Sequence, residues 1–367
     1  MHVYLHVPFC GRRCSYCDFA IAVRNVTPDA AFLAAITGEI ALRRGAERWP
    51  AGPVQTIYFG GGTPSRLDPL TITQLIAVLS GIWPRAADAE ITLEANPDDV
   101  TAERARGWVR AGINRISLGV QSHDAAVLEW MHRTHRAEQV PEALAILRAE
   151  GITNISLDLI FALPETLRRN WSDDLQRTLA LAPDHVSLYG LTVEAHTPLA
   201  RWVGRGEIVT PMDERYADEY LLAHEQLIAA GFEHYEVSNA ARPGFRSRHN
   251  SAYWSGAPYV GLGPSAHSLL ADARQWNVRE WEAFRRRVDE AATPVEGQET
   301  IDGAPKRLED LYLGLRTIEG ASQAMVPAGA RAAWVRAGWA TTEGGRIRLT
   351  VEGWLRLDAL VGAVRDS

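Results

Sequence analysis

The sequence predicts an α/β fold: an open, partial barrel of six βα units followed by a small, mostly helical C-terminal domain of winged-helix type. Three observations predict it. From residue 1 to about 230, short β-branched or apolar runs alternate with helical patterns, as in a parallel sheet wound with helices. Polar and glycine-rich motifs recur just past the strand candidates, where such folds carry their chemistry. From about residue 304 the pattern is helical again, with one short strand.

In chain order, the strand candidates are His2-Val7, Val54-Phe59, Glu90-Glu94, Arg115-Val120, Ile155-Ile160 and His185-Leu191. Helical patterns lie at about 28-48, 69-82, 101-111, 124-149, 170-182 and 213-230. Six units are too few to close an eight-stranded barrel, so the sheet is expected to stay open. The organisation read from this is a barrel over 1-235, an irregular segment over 236-303 and a small domain over 304-367. The middle segment is rich in Gly, Pro and aromatics, as in Gly256-Ala257-Pro258-Tyr259-Val260-Gly261-Leu262-Gly263-Pro264-Ser265-Ala266-His267, and suits loops and an edge strand covering the barrel mouth. In the last segment Arg346-Ile347-Arg348-Leu349-Thr350 reads as a strand before a helix over Val351-Val364.

Apolar residues make up 46% of the chain and charged ones 23%, an ordinary globular composition. A net charge of -7 argues against a nucleic-acid partner held through its phosphates. The densest basic run, Arg285-Arg286-Arg287, reads as a solvated helix face. No apolar stretch approaches the roughly 18 residues of a membrane helix. The N-terminus reads as free of a signal peptide. A cytoplasmic protein is expected, with membrane contact at most peripheral or through a partner.

All three cysteines fall in one eight-residue window, Cys10-Gly11-Arg12-Arg13-Cys14-Ser15-Tyr16-Cys17. With no other thiol to pair with, they read as metal ligands, in keeping with a reducing compartment. Three thiolates in a CxxxCxxC loop can hold three irons of a cubic 4Fe-4S cluster and leave the fourth open. A zinc site would need a second CxxC knuckle, which the chain lacks, or a distant histidine. After the second strand, Gly60-Gly61-Gly62-Thr63-Pro64 lets backbone amides approach a ligand, although a plain tight turn would look the same. Glu94 closes the third strand, Gln121 follows the fourth and Asp158 lies near the end of the fifth. The two carboxylates suit a charged amine or a ribose, with a salt bridge or helix cap as the alternative. His6 reads equally as a hydrogen-bonding group near a cofactor or as packing. His123, His132 and His135 lack a carboxylate-supported ligand set and read as a solvated loop.

The flanks Tyr4-Leu5-His6-Val7-Pro8-Phe9-Cys10 and Tyr16-Cys17-Asp18-Phe19 resemble the radical S-adenosylmethionine (SAM) superfamily. That resemblance implies a (βα)6 barrel whose open cluster iron chelates the amino and carboxylate groups of SAM. The cluster's electron then cleaves SAM to a deoxyadenosyl radical. It implies a SAM shell of Tyr4, Gly61, Gly62, Thr63, Glu94, Gln121, Arg133 and Asp158. Within the superfamily, the chain is most similar to the HemW-like heme-chaperone branch of the oxygen-independent coproporphyrinogen III oxidase family. Cys17 is followed by Asp18-Phe19 rather than by a fourth cysteine, and the motif begins close to residue 1, without the extension of the oxidases. Arg248-His249-Asn250-Ser251-Ala252-Tyr253-Trp254 reproduces the branch's HNxxYW signature.

The resemblance implies a chaperone that binds a 4Fe-4S cluster, SAM and heme and delivers heme to apo-hemoproteins such as respiratory enzymes. Oxidative decarboxylation of coproporphyrinogen III is the alternative. Chemically, a neutral imidazole such as His249 can ligate heme iron while Tyr and Trp supply flat apolar surface. A His-Asn turn pinned by an aromatic pair would look the same. His267, Met131 and Met212 are candidate second ligands.

Overall fold

In the computed structural model, which describes residues 1–271 and 273–365, six parallel strands share one alternation of apolar and polar faces. They are β1 (His2–Val7), β2 (Val54–Gly61), β3 (Arg85–Ala95), β4 (Arg115–Gln121), β5 (Asn154–Phe161) and β6 (His185–Gly190), paired in chain order. Leu5, Phe59, Leu93, Leu118, Leu157 and Leu188 bury themselves on the outer face. Each such side chain contributes roughly 1.5–3 kcal/mol. Register does the rest: Tyr4 lies beside Tyr58, Glu94 beside Ser117 and Asp158 beside Ser187. With a side-chain period of two, all six stand on the inner face.

Helices α1 (Asp29–Arg44), α2 (Pro69–Ser80), α3 (Ala102–Ala111), α5 (Gln139–Ala149), α6 (Trp171–Ala180) and α8 (Asp213–Ala229) cover the outer face, while α4 (Ala125–Trp130) and α7 (Pro198–Gly204) lie beside the cysteine loop, where the Leu199 amide donates to the Ser15 carbonyl at 2.9 Å and Trp130 packs on Trp202. Several start at side-chain caps, with Asp68, Thr101 and Asn170 accepting from the amides of Leu70, Arg104 and Asp173. The single helix expected over 124-149 is two. His132 takes a left-handed conformation (φ 59°), and the Arg133 amide donates back to the Leu128 carbonyl at 2.9 Å. A non-glycine residue ends the first helix there, and the mark the sequence does carry is Pro141, in the first turn of α5.

The segment expected to be irregular instead extends the sheet at both ends. β7 (Glu233–Glu236) and β8 (Asn239–Ala241) add antiparallel strands beside β6. After α9 (Arg248–Trp254), β9 (Tyr259–Leu262) pairs parallel to β1, and β10 (His267–Leu270), β11 (Ala273–Asn277) and β12 (Val295–Thr300) follow antiparallel. The order is β12-β11-β10-β9-β1-β2-β3-β4-β5-β6-β8-β7, an open sheet. These strands are short and polar at the outer edge, so they lack the apolar runs that mark the barrel strands. Gly261 is required by close approach, since a Cβ there would lie 1.9 Å from the His267 carbonyl oxygen.

A buried ion pair ties this extension to the barrel. Arg43 donates to Glu39 at 2.7 Å and to the Gly261 carbonyl at 2.7 Å, while Glu39 accepts from the Gly263 amide at 2.7 Å and from Asn277 at 2.6 Å. Both side chains are at most 1% exposed. Glu39→Ala leaves Arg43 with Glu47 as its one carboxylate partner and strips the buried Gly263 amide and Asn277 of an acceptor, at an expected cost of about 1–3 kcal/mol. A urea unfolding curve with its midpoint unmoved would contradict this.

Past α10 (Trp281–Asp289) and α11 (Gly303–Leu315) come β13 (Ala321–Ser322), α12 (Ala328–Arg336), β14 (Ala340–Glu343) and β15 (Arg346–Leu349), then helices Val351–Trp354 and Leu357–Arg365. The three strands form a small antiparallel sheet ordered β13-β15-β14. The Trp354 indole donates to the Leu315 carbonyl at 3.1 Å, closing this unit on itself. Among the described residues, no helix is long and apolar enough to cross a membrane.

Candidate functional site

The cysteine loop leaves β1 at Pro8 and is stitched to the glycine loop that leaves β2. The Gly62 amide donates to the Val7 carbonyl at 2.8 Å and the Thr63 amide to the Phe9 carbonyl at 2.9 Å. Thr63 Oγ1 donates to Cys10 Sγ at 3.4 Å. A Cβ on Gly62 would stand 2.8 Å from the Pro8 carbonyl carbon and 3.0 Å from Cys10 Sγ, so only glycine lets the two loops meet. On the far side, the Ser15 amide donates to the Met131 carbonyl at 3.1 Å and Arg133 reaches Cys14 Sγ at 3.6 Å. The break between α4 and α5 is what carries Arg133 there. Its guanidinium also donates to Asn96 at 2.6 Å and to the Gly119 carbonyl at 2.9 Å.

Cys10, Cys14 and Cys17 line one cavity of about 380 Å³ together with Gly61, Gly62, Thr63, Glu94, Gln121, Arg133 and Asp158. All three cysteines therefore face a single cavity. Among the described residues, no three His, Cys, Asp or Glu side chains are placed to hold one metal ion. Three cysteines around one cavity, with no fourth beside them, are the donor set that a 4Fe-4S group held at three of its irons requires. Burial pushes the Cys10 thiol up and the Cys17 thiol up to about 11, so the thiolates depend on a bound metal's charge.

Glu94 accepts from Tyr58 Oη at 2.9 Å and from the Gly61 amide at 3.0 Å. Burial raises its carboxyl from the ordinary 4.5 to about 7, against the lowering effect of the Tyr58 hydroxyl. Burial likewise raises Asp158, which accepts from Ser117 at 2.8 Å and from Ser156 at 3.0 Å. Gln121 sits at φ 66°, at a register irregularity between β4 and β5, and a non-glycine residue in that region stores strain typical of ligand sites. Tyr58, Asn96, Ser117 and Ser156 escape the sequence reading. The signal was present for the serines: Ser-Leu recurs as Ser117-Leu118, Ser156-Leu157 and Ser187-Leu188 on three adjacent strands.

Two expected site residues lie outside this cavity. Tyr4 lines a second cavity of about 620 Å³, which shares Asp18, Phe19, Gly61 and Glu94 with the first and is walled by Tyr253 and Trp254. His249 lines neither cavity. It is 1% exposed, with Nδ1 bonded to Thr56 Oγ1 at 2.7 Å and Nε2 to Tyr253 Oη at 2.8 Å. Burial holds its imidazole neutral, with its pKa lowered to about 3, yet both ring nitrogens are engaged. Met131 is fully buried and Met212 is exposed, and neither lines the second cavity; His267 does. His123 and His135, expected in a solvated loop, are buried, with His123 bonded to Thr178 and His135 to the Val120 carbonyl.

The radical SAM superfamily model matches residues 4–176. A protein of Mycobacterium tuberculosis named heme chaperone HemW is 39% identical over 98% of this chain and 93% of its own length. One of that name from Synechocystis sp. is 38% identical over 88% of this chain and 80% of its own. In structure the chain is similar to the coproporphyrinogen III oxidase HemN of Escherichia coli, a radical SAM enzyme, with a TM-score of 0.81 over 99% of this chain and 89% of that one, at 22% identity. That last likeness speaks for the fold, and the two sequence relatives carry the rest: the chain belongs to the HemW family of the radical SAM superfamily.

Proposed function

We propose that the protein is a cytoplasmic heme chaperone that holds a 4Fe-4S cluster and SAM in the first cavity, receives heme in the second and passes it to apo-hemoproteins. The observation that carries this reading is the adjacency of the two cavities, one ringed by all three cysteines and the other walled by the Tyr253-Trp254 end of the HNxxYW motif. The resemblance of the chain to proteins named heme chaperones supports it. Cys10, Cys14 and Cys17 would hold the cluster, whose open iron supplies a site for the methionine end of SAM. Thr63 and Arg133 donate toward the sulfurs of Cys10 and Cys14. Gly61 and Gly62 let the glycine loop close on His6 and on the cysteine loop, which sets it at the cavity wall, and Glu94 and Asp158 offer carboxylates to a ligand's ammonium or ribose.

That assignment of Glu94 predicts a pH dependence. SAM binding draws on the ionised carboxylate, so affinity should fall roughly tenfold from about pH 8 to about pH 6. Glu94→Gln should flatten the profile. For stability the sign is opposite to that of an ordinary salt-bridged carboxylate. The folded-state pKa lies above the unfolded 4.5, so the contribution is full below that value and is lost as pH rises through about 7. A SAM affinity independent of pH over this range would remove Glu94 from the site.

The function is tested by reconstituting the protein anaerobically with iron and sulfide and dividing one sample between two assays, heme titration and coproporphyrinogen III conversion. The chaperone reading expects stoichiometric heme binding and no decarboxylation. Robust conversion would overturn it in favour of the oxidase.

A further inference from the structure

The geometry points to the second cavity as a metal-tetrapyrrole seat in which His267 is the axial ligand and Arg279 takes a propionate. This rests on the heme reading above and names the residues that would perform it. The cavity, about 620 Å³, falls in the range of roughly 300–1,000 Å³ usual for cofactor sites. Phe19, Tyr4, Tyr253, Trp254 and Tyr259 line it, and these rings offer the flat apolar surface a porphyrin face needs.

Two imidazoles line this cavity, His6 and His267. His6 is committed, with Nε2 bonded to the Ala20 carbonyl at 2.8 Å and Nδ1 to Tyr4 Oη at 3.1 Å. His249 is committed as well, behind the Tyr253 wall. His267 is exposed at the start of β10, and its ring stacks on Trp276 with centroids 6.0 Å apart. Among the described residues neither of its ring nitrogens has a hydrogen-bond partner. Partial burial, reinforced by Arg274, lowers its pKa, which leaves the neutral imidazole that iron ligation requires.

The cations around the cavity divide in the same way. Arg274 is paired with Glu299 and Glu309. Arg279 donates to the Asp18 carbonyl, and among the described residues no carboxylate pairs with it. A guanidinium whose charge no neighbour neutralises, at the edge of an aromatic cavity, suits the carboxylate of a tetrapyrrole side chain.

The test is an anaerobic heme titration of the full chain, comparing wild type with His267→Ala, His249→Ala and Arg279→Gln. His267→Ala should lose the Soret position of an axially ligated iron and bind heme at least tenfold more weakly, and added imidazole should restore the band. His249→Ala should keep the wild-type Soret position. Arg279→Gln should weaken heme about tenfold while leaving the affinity for heme dimethyl ester, whose propionates are blocked, unchanged. An unaltered Soret band in His267→Ala with wild type binding normally overturns this assignment alone, as does loss of the band in His249→Ala only. Failure of wild type to bind heme overturns the chaperone reading and this site together.

Discussion

Cys14→Ser should abolish the cluster. Reconstituted wild type should carry about four irons per chain, and the variant should show no reduced-cluster signal in electron paramagnetic resonance. The chain possesses three cysteines, all of them around one cavity, so no thiol exists that could substitute. Arg133 reaches the Cys14 sulfur and would face an oxygen of weaker iron affinity in the variant. Cys14 is half-buried and outside the hydrophobic core, so the cluster-free variant should keep the fold of cluster-free wild type. Unchanged circular dichroism with a vanished cluster signal is therefore the expected pair of results, and a full cluster spectrum in the variant would show that the ligand assignment is wrong.

The second large effect is expected from Gly61→Val. Gly61 has φ 113°, and a Cβ there would lie 2.6–2.9 Å from ring atoms of His6. The left-handed backbone costs about 1–2 kcal/mol for a residue with a Cβ, and overpacking adds about 1–3 kcal/mol. The displaced loop would also pull its amide from Glu94. SAM should no longer perturb the reduced cluster's spectrum, while iron content stays near wild type. Gly151→Val separates the two causes, because Gly151 shares a positive φ of 97° with nothing within 4 Å of its Cβ position. That control should lose stability without losing SAM binding. A Gly61→Val protein that binds SAM as tightly as wild type would reduce the glycine loop to a turn.

The barrel was legible because its physics is local. Each of the six strands is a run whose alternate residues must be apolar to meet a helix, and the expected start of His2, Val54, Arg115 and His185 is the observed one. The position of the cysteine loop, the glycine loop and the strand-end polar residues at one end of the sheet was legible for the same reason, since parallel strands all end on the same side. What escaped depends on tertiary context. The end of α4 at His132 uses backbone geometry that any sequence of ordinary residues can hide, and with it went the means by which Arg133 approaches Cys14. The strands from Tyr259 to Thr300 are stabilised by pairing to β1 and by the buried Glu39 and Arg43, not by their own apolar pattern. The engagement of both His249 nitrogens could not be read from HNxxYW spacing, because Thr56 belongs to a strand nearly two hundred residues earlier, with a sequence separation of 193. Only the i, i+4 relation of His249 and Tyr253 was visible in principle.

The central claim is that this chain carries heme to another protein, and its most direct measurement is transfer. Reconstituted protein loaded with stoichiometric heme and mixed with an apo-hemoprotein should lose its own Soret band as the acceptor's holo spectrum grows, faster than free heme at the same concentration reconstitutes that acceptor. Heme that stays on the chain, or transfer no faster than from free heme, would contradict the account.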